Sequence, residues 1–93
     1  MTALELSTVL ELRREAAELI ERLGWVQGNW VSRRGEVCLE EALNRVCRYQ
    51  PLDLVGALKD GLGRELDSWD LTQWNDAEGR TQAEVLAALR GTS

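Results

Sequence analysis

The densest group of side chains able to bind a ligand lies in residues 73–85, which include Trp74, Asn75, Asp76 and Arg80. Asn and Asp offer hydrogen-bond donors and acceptors, Arg offers a planar charged fork, and Trp offers a large rigid face. These residues form either a recognition patch or a structural turn, in which Trp74 enters the core, the Asn-Asp pair bonds to the backbone, and Arg80 pairs with an acid. Of the two interpretations, we favour the structural turn.

A second group of candidate interaction residues consists of Trp25, Gln27, Trp30, Arg33 and Arg34. A Trp directly after a helix-ending Gly is expected to pack back onto that helix, which favours a core position for Trp25. Trp30 lies in a polar stretch and is predicted to be partly exposed, and exposed Trp is enriched at protein interfaces. The two Arg residues are interpreted as solvated side chains, with a small anionic contact as the alternative.

Most familiar catalytic and metal-binding arrangements are excluded by composition. The chain has no His, which removes the commonest general base, the commonest metal ligand and the partner of a Ser or Cys nucleophile. Two Cys without His do not complete a structural zinc site within one chain unless carboxylates contribute, and no Gly-rich phosphate-binding motif is present. The neighbouring acids lack EF-hand spacing and are interpreted as a solvated surface: Asp67, Asp70, Asp76 and Glu78. Paired carboxylates are the one catalytic option left open, and we expect no cofactor and no metal.

Length and charge limit the classes of partner. The 93 residues are 44% hydrophobic and 29% charged, which indicates one globular domain spanning residues 1–93. The net charge is −5, with eight acids against four bases in residues 53–93, so nucleic acid is not an expected partner. No stretch resembles a signal peptide or a membrane span, and we expect a cytoplasmic protein. Cys38 and Cys47, nine residues apart in one predicted helix, are expected to be buried thiols.

Apolar periodicity and capping signals predict three to four helices. The first covers residues 3–23, where apolar residues recur at three- and four-residue steps behind a Thr-Glu capping box. The second covers residues 37–49, and the last covers residues 82–90 behind another capping box. Residues 24–36 are expected to form an ordered loop, with a short β-bridge or a small hairpin left open. Residues 68–80 are expected to form a tight connector.

The third helix is the weakest of the predicted elements. Asp53 is a good N-cap, and Leu residues then step by four as far as residue 66. Gly56, Gly61 and Gly63 each cost up to about 1 kcal/mol in a helix interior. The helix therefore either continues at low intrinsic stability or breaks near Gly61.

Three motifs carry a resemblance to a known family. They are Gly-Trp-Val-Gln-Gly at residues 24–28, Gly-x-x-Cys-x-x-x-Ala-Leu at residues 35–43, and Trp-Asn-Asp-Ala-x-Gly-Arg-Thr at residues 74–81. In these motifs and their order, the chain resembles a group of small proteins of unknown function from actinobacteria and their phages. Glu40 and Glu41 depart from the expected pattern of smaller or apolar residues. The resemblance implies an all-helical domain of phage or actinobacterial origin, and it implies no activity.

These features predict an all-α fold, a compact bundle of three to four helices with an ordered Trp-bearing loop after the first. The favoured function is a small acidic, non-enzymatic protein-interaction module, a phage- or prophage-encoded modulator of a host protein. A homodimer is also left open. An exposed Trp30 or Trp69 within an apolar patch would support this function.

Two other functions are kept as alternatives. One is a nucleic-acid mimic, which requires the acids of residues 53–84 to form a strip. The other is a ligand-binding or enzymatic domain centred on Trp74, Asn75 and Asp76, which requires a concave pocket at that turn. This last alternative loses its basis if those side chains are consumed in capping and turn bonds.

Overall fold

The computed structural model describes residues 2–91, which contain five α-helices and no β-sheet. In chain order the helices are α1 (Ala3–Leu23), α2 (Leu39–Val46), α3 (Leu52–Leu66), α4 (Leu71–Asp76) and α5 (Gln82–Arg90). Two isolated β-bridges join Trp25 and Val31 to Val37 in the loop after α1. The all-α class is confirmed, as is an ordered loop containing short β-bridges.

Helix α1 is the longest element and contributes most to the core. Its capping box is present in both directions, because the Thr2 and Glu5 side chains each accept from the other's backbone N–H. Its apolar stripe is buried against α2 and α5, and Gly24 ends it at a φ of 94°. The buried apolar residues of α1 are Val9, Leu12, Ala16, Ala17 and Ile20. The predicted first helix is confirmed.

Helix α2 is shorter than the predicted span of residues 37–49. Val37 is held in extended conformation by the β-bridges, so the helix begins only after Cys38. The Cys38 Sγ accepts from the Glu41 N–H at 3.3 Å and acts as the N-cap, while Cys47 is the C-cap. Both thiols are buried and unbridged, as predicted, although they lie at the two caps rather than inside one helix.

Helix α3 runs unbroken from Leu52 to Leu66, so no break occurs at Gly61. It begins after Pro51 rather than at the predicted N-cap Asp53, which lies in the first turn of the helix. The carbonyl of Ser68 folds back against Gly63, where an added Cβ would lie 2.7 Å from the Ser68 oxygen. Gly63 therefore permits the chain to turn closely over the end of α3.

The predicted connector of residues 68–80 contains a helix that the sequence interpretation missed. Helix α4 has six residues, too few to show a periodic pattern. Its N-cap is Asp70, whose Oδ1 accepts from the N–H groups of Thr72 and Gln73 at 2.9 and 3.2 Å. Between α3 and α4, Asp67 adopts the left-handed conformation at a φ of 52°.

Arg13 is buried, although charged residues between the apolar positions of an amphipathic helix such as α1 are expected to face solvent. Only 5% of Arg13 is exposed, and its guanidinium donates to the carbonyls of Leu89 and Ala88 at 3.0 and 2.7 Å. It also forms a two-point ion pair with Glu65 at 2.7 and 3.0 Å. Arg13 thus satisfies carbonyls at the end of α5 and joins α1 to α3 and α5.

The glycines of α3 yield a paired stability prediction. An added Cβ at Gly56 would meet open space, so Gly56→Ala is expected to raise the free energy of unfolding by about 0.5–1 kcal/mol. Gly63→Ala must displace the Ser68 carbonyl and is expected to lower it by about 1–3 kcal/mol. Urea unfolding of both variants tests this, and shifts in the same direction would contradict the assigned role of Gly63.

Candidate functional site

Asn75 is the most constrained polar side chain of the candidate site. It is 0% exposed and lies on α4 facing the loop after α1. Its Oδ1 accepts from the Trp25 indole N–H at 2.6 Å and from the Leu39 N–H at 3.0 Å. Its Nδ2 donates to the Val26 carbonyl at 3.1 Å and to Asp76 Oδ1 at 2.9 Å. The amide thus uses two donors and two acceptor positions, its full capacity.

Gln27 and Asp76 extend this network on both sides of Asn75. The Gln27 Nε2 donates to the carbonyls of Asn75 and Ala77 at 2.9 and 3.0 Å. Asp76 Oδ1 accepts from the Gly28 N–H at 3.0 Å. The structure therefore joins two groups that the sequence interpretation treated separately, the Trp-bearing loop and the Asn-Asp turn. The predicted bonds of this turn were local, whereas most of the observed ones cross about 50 residues of sequence.

Trp74 and Arg80 adopt the structural roles predicted for them. Trp74 is half-buried and packs against the core. The Arg80 guanidinium lies 3.8 Å from the centre of the Trp74 ring, and its Nε donates to the Trp74 carbonyl at 2.9 Å. Arg80 also pairs with Glu84 at 3.2 Å, beside the capping box of Thr81 and Glu84.

Most polar groups of Trp74, Asn75 and Asp76 bond within the fold, which limits what a ligand or catalytic site centred on them could use. Asn75 is enclosed, Asp76 Oδ1 accepts two hydrogen bonds within the fold, and Arg80 covers one face of the Trp74 ring. In residues 2–91, every buried side-chain nitrogen or oxygen has a hydrogen-bond partner. Of the polar groups on which this alternative depends, the Asn75 amide and Asp76 Oδ1 are therefore already bonded within the fold.

A concave surface lies elsewhere on the described chain, and we call it the tryptophan groove. It has a volume of about 790 Å³, within the roughly 300–1,000 Å³ of ligand pockets. Trp30 and Trp69 both line it; Trp30 is 59% exposed and Trp69 is fully exposed. The remaining lining comes from α2, the second half of α3, the α3–α4 connection and the start of α4: Glu40, Lys59, Asp60, Gly63, Arg64, Asp67, Ser68, Asp70, Leu71 and Thr72.

The charges of the tryptophan groove leave it acidic. Lys59 is neutralised by Glu40 at 2.7 Å and also donates to Asn44. Within the described chain, the carboxylates of Asp60 and Asp67 have no hydrogen-bond or ion-pair partner. Besides the Lys59–Glu40 pair, the groove is lined by the carboxylates of Asp60, Asp67 and Asp70 and by one guanidinium, that of Arg64.

The other sequence candidates lie outside the tryptophan groove. Arg33 and Arg34 are exposed at a turn and are absent from its lining. Conversely, the sequence interpretation did not select Lys59, Asp60 or Arg64, because nothing local to α3 indicates that it shares a groove with Trp30. The one usable signal was Trp69 directly before Asp70, a large aromatic residue placed outside a helix N-cap.

The two thiols offer no reactive nucleophile. Burial raises the pKa of Cys38 and of Cys47, so both stay protonated at neutral pH. Among residues 2–91, no group of three or more Cys, Asp or Glu side chains is placed to hold a metal ion. No helix of this part of the chain is long and apolar enough to cross a membrane.

The Asn75 network is tested by a matched pair of Asn variants. Asn75→Ala leaves the buried Leu39 N–H and the Trp25 indole N–H without an acceptor, and we expect a loss of about 2–4 kcal/mol in unfolding free energy. Asn44→Ala removes an exposed amide that bonds only to Lys59, and it should change stability by less than about 0.5 kcal/mol. Equal losses in urea titrations of the two variants would contradict a central role for Asn75.

Comparison with known proteins places the chain in a family. The sequence model of a family of unknown function, DUF6197, matches residues 5–93. No curated protein and no solved structure gives a significant match to the chain. The family match supplies no activity that could be transferred to the tryptophan groove. Because it covers nearly the whole sequence, the match shows that this protein belongs to the DUF6197 family of unknown function.

Proposed function

We propose that the protein is a small non-enzymatic protein-interaction module that binds its partner in the tryptophan groove. One observation carries the proposal: two exposed Trp side chains, Trp30 and Trp69, line the same groove. The other two, Trp25 and Trp74, are held by hydrogen-bond or cation–π contacts within the fold. The four Trp residues thus divide into an internal pair and an outward pair.

Leaving the side chains of Trp30 and Trp69, the outward pair, exposed to water is unfavourable in free energy. A Trp side chain gains about 1.5–3 kcal/mol when its apolar surface is buried, yet Trp30 and Trp69 forgo most of this in the isolated chain. Trp is also the residue type most enriched among the side chains that dominate binding energy at interfaces. A partner that covers both rings would recover this energy, which supports the tryptophan groove as the binding surface.

The phage or prophage origin in this proposal rests on the sequence resemblance. We place the protein in the cytoplasm, as a phage- or prophage-encoded modulator of a host protein. This setting is consistent with the groove being open on the monomer, where a partner can enter. The groove acids also keep the nucleic-acid mimic as a competing explanation, which the following experiment separates from the main proposal.

Capture of a partner from a lysate of the natural host cell tests the proposal. Trp30→Ala and Trp69→Ala are each expected to weaken capture by about tenfold or more, since truncating an interface Trp costs about 2 kcal/mol or more. Their unfolding midpoints should stay close to that of the wild type, because neither side chain is in the core. Quantitative mass spectrometry of the captured protein provides the measurement.

Tyr49→Ala is the matched control, since Tyr49 is an exposed aromatic residue outside the tryptophan groove. It should capture the partner as well as the wild type. Capture that is unchanged in both Trp variants would overturn the proposal. Capture of a DNA-binding protein that competes with DNA, depends on salt and ignores both Trp substitutions would favour the mimic.

A further inference from the structure

We infer that the occupant of the tryptophan groove is an arginine-containing segment of a partner protein. The inference rests on the proposed function and names the chemistry of the partner. It places a guanidinium against Trp69 or Trp30, with its charge facing Asp67 and Asp60. Three properties of the groove support this occupant: its free charges, its aromatic walls and the conformation of Asp67.

The free charges of the groove select a cation. After Lys59 is neutralised by Glu40, the remaining carboxylates are those of Asp60, Asp67 and Asp70, against the single guanidinium of Arg64. In the part of the chain that the structure describes, the carboxylates of Asp60 and Asp67 form no ion pair, and the one guanidinium of Arg64 balances only one of the three groove carboxylates. A basic segment supplies the missing charges, whereas an acidic or phosphorylated one meets repulsion.

The aromatic walls select arginine among the cations. A planar guanidinium stacks on an indole face and still presents two N–H groups to a carboxylate, whereas a lysine ammonium acts as a point charge. Both the stacking of a guanidinium on an indole and the two-point pairing of a guanidinium with a carboxylate already occur within the fold. Arg80 stacks on Trp74 at 3.8 Å, and Arg13 contacts Glu65 through two nitrogens.

Asp67 provides the most selective test of the inference. Within residues 2–91 it is the only residue other than Gly with a positive φ, a conformation in which Gly or Asn is the usual occupant of a helix end. Its carboxylate contributes no bond to the fold. In the isolated chain, Asp67 therefore neither relieves backbone strain, as Gly would at this position, nor forms an ion pair. Its carboxylate does line the tryptophan groove.

The experiment is an NMR titration of the indole N–H signals with three blocked peptides of alternating Gly and a variable residue. The variable residue is arginine, lysine or citrulline, the uncharged isostere of arginine. At low salt, the arginine peptide should shift the Trp30 and Trp69 signals. The citrulline peptide should bind about tenfold more weakly, and the lysine peptide should fall between them.

Protein variants assign the binding to the groove. Asp67→Asn keeps the size and the tolerance for a left-handed backbone, and it should raise the Kd of the arginine peptide about fivefold or more. Glu11→Gln removes an exposed charge outside the groove and should leave the Kd unchanged. Asp67→Gly should raise the urea midpoint while weakening binding, a combination that misfolding cannot produce.

Three results would overturn the inference. The first is equal binding of the arginine and citrulline peptides. The second is an Asp67→Asn variant that binds the arginine peptide like the wild type. The third is sedimentation equilibrium showing a dimer that both Asp67→Asn and Arg34→Glu dissociate, because the occupant would then be the exposed basic turn of a second copy.

The outcomes also separate this inference from the proposed function. If partner capture depends on Trp30 and Trp69 but the arginine peptide does not bind, the interaction module stands and the chemistry of its partner is different. If capture is independent of both Trp residues, the proposed function itself fails, whatever the peptides do.

Discussion

One buried amide positions the loop that the rest of the surface depends on. Asn75 accepts from the Trp25 indole and the Leu39 N–H, and it donates to the Val26 carbonyl and to Asp76. Each of these bonds left unmade would cost free energy in the protein interior, so the fold is most stable when all four are formed. In this way α4, the N-terminus of α2 and the loop after α1 are fixed relative to one another.

The position of Trp30 follows from that constraint. The loop is tied to α4 before Trp30, through Gln27 and Gly28, and to α2 after it, where the Cys38 N–H donates to the Trp30 carbonyl at 3.0 Å. The backbone of Trp30 is therefore fixed on both sides, while its side chain is 59% exposed and lines the tryptophan groove. Trp69 is positioned by a different feature, the close turn of the chain over Gly63. Both Trp side chains line the same groove.

Local signals predicted the local structure well. The Thr-Glu capping boxes correctly mark the starts of α1 and α5, because both partners lie three residues apart. The burial of Arg13 and the long-range bonds of Asn75 could not be predicted, since their partners lie 36 to 76 residues away. The tryptophan groove could not be predicted from the sequence either, because its walls come from segments far apart in the chain, the loop after α1 and residues of α3 and α4.

The most direct test of this account is the solvent exchange of the four indole N–H groups, measured by proton–nitrogen NMR. The account predicts slow exchange for Trp25, whose indole donates to Asn75 at 2.6 Å, and fast exchange for Trp30 and Trp69. Fast exchange at Trp25, or protection of Trp30 and Trp69 in the isolated monomer, would contradict the division between internal and outward Trp residues on which the account rests.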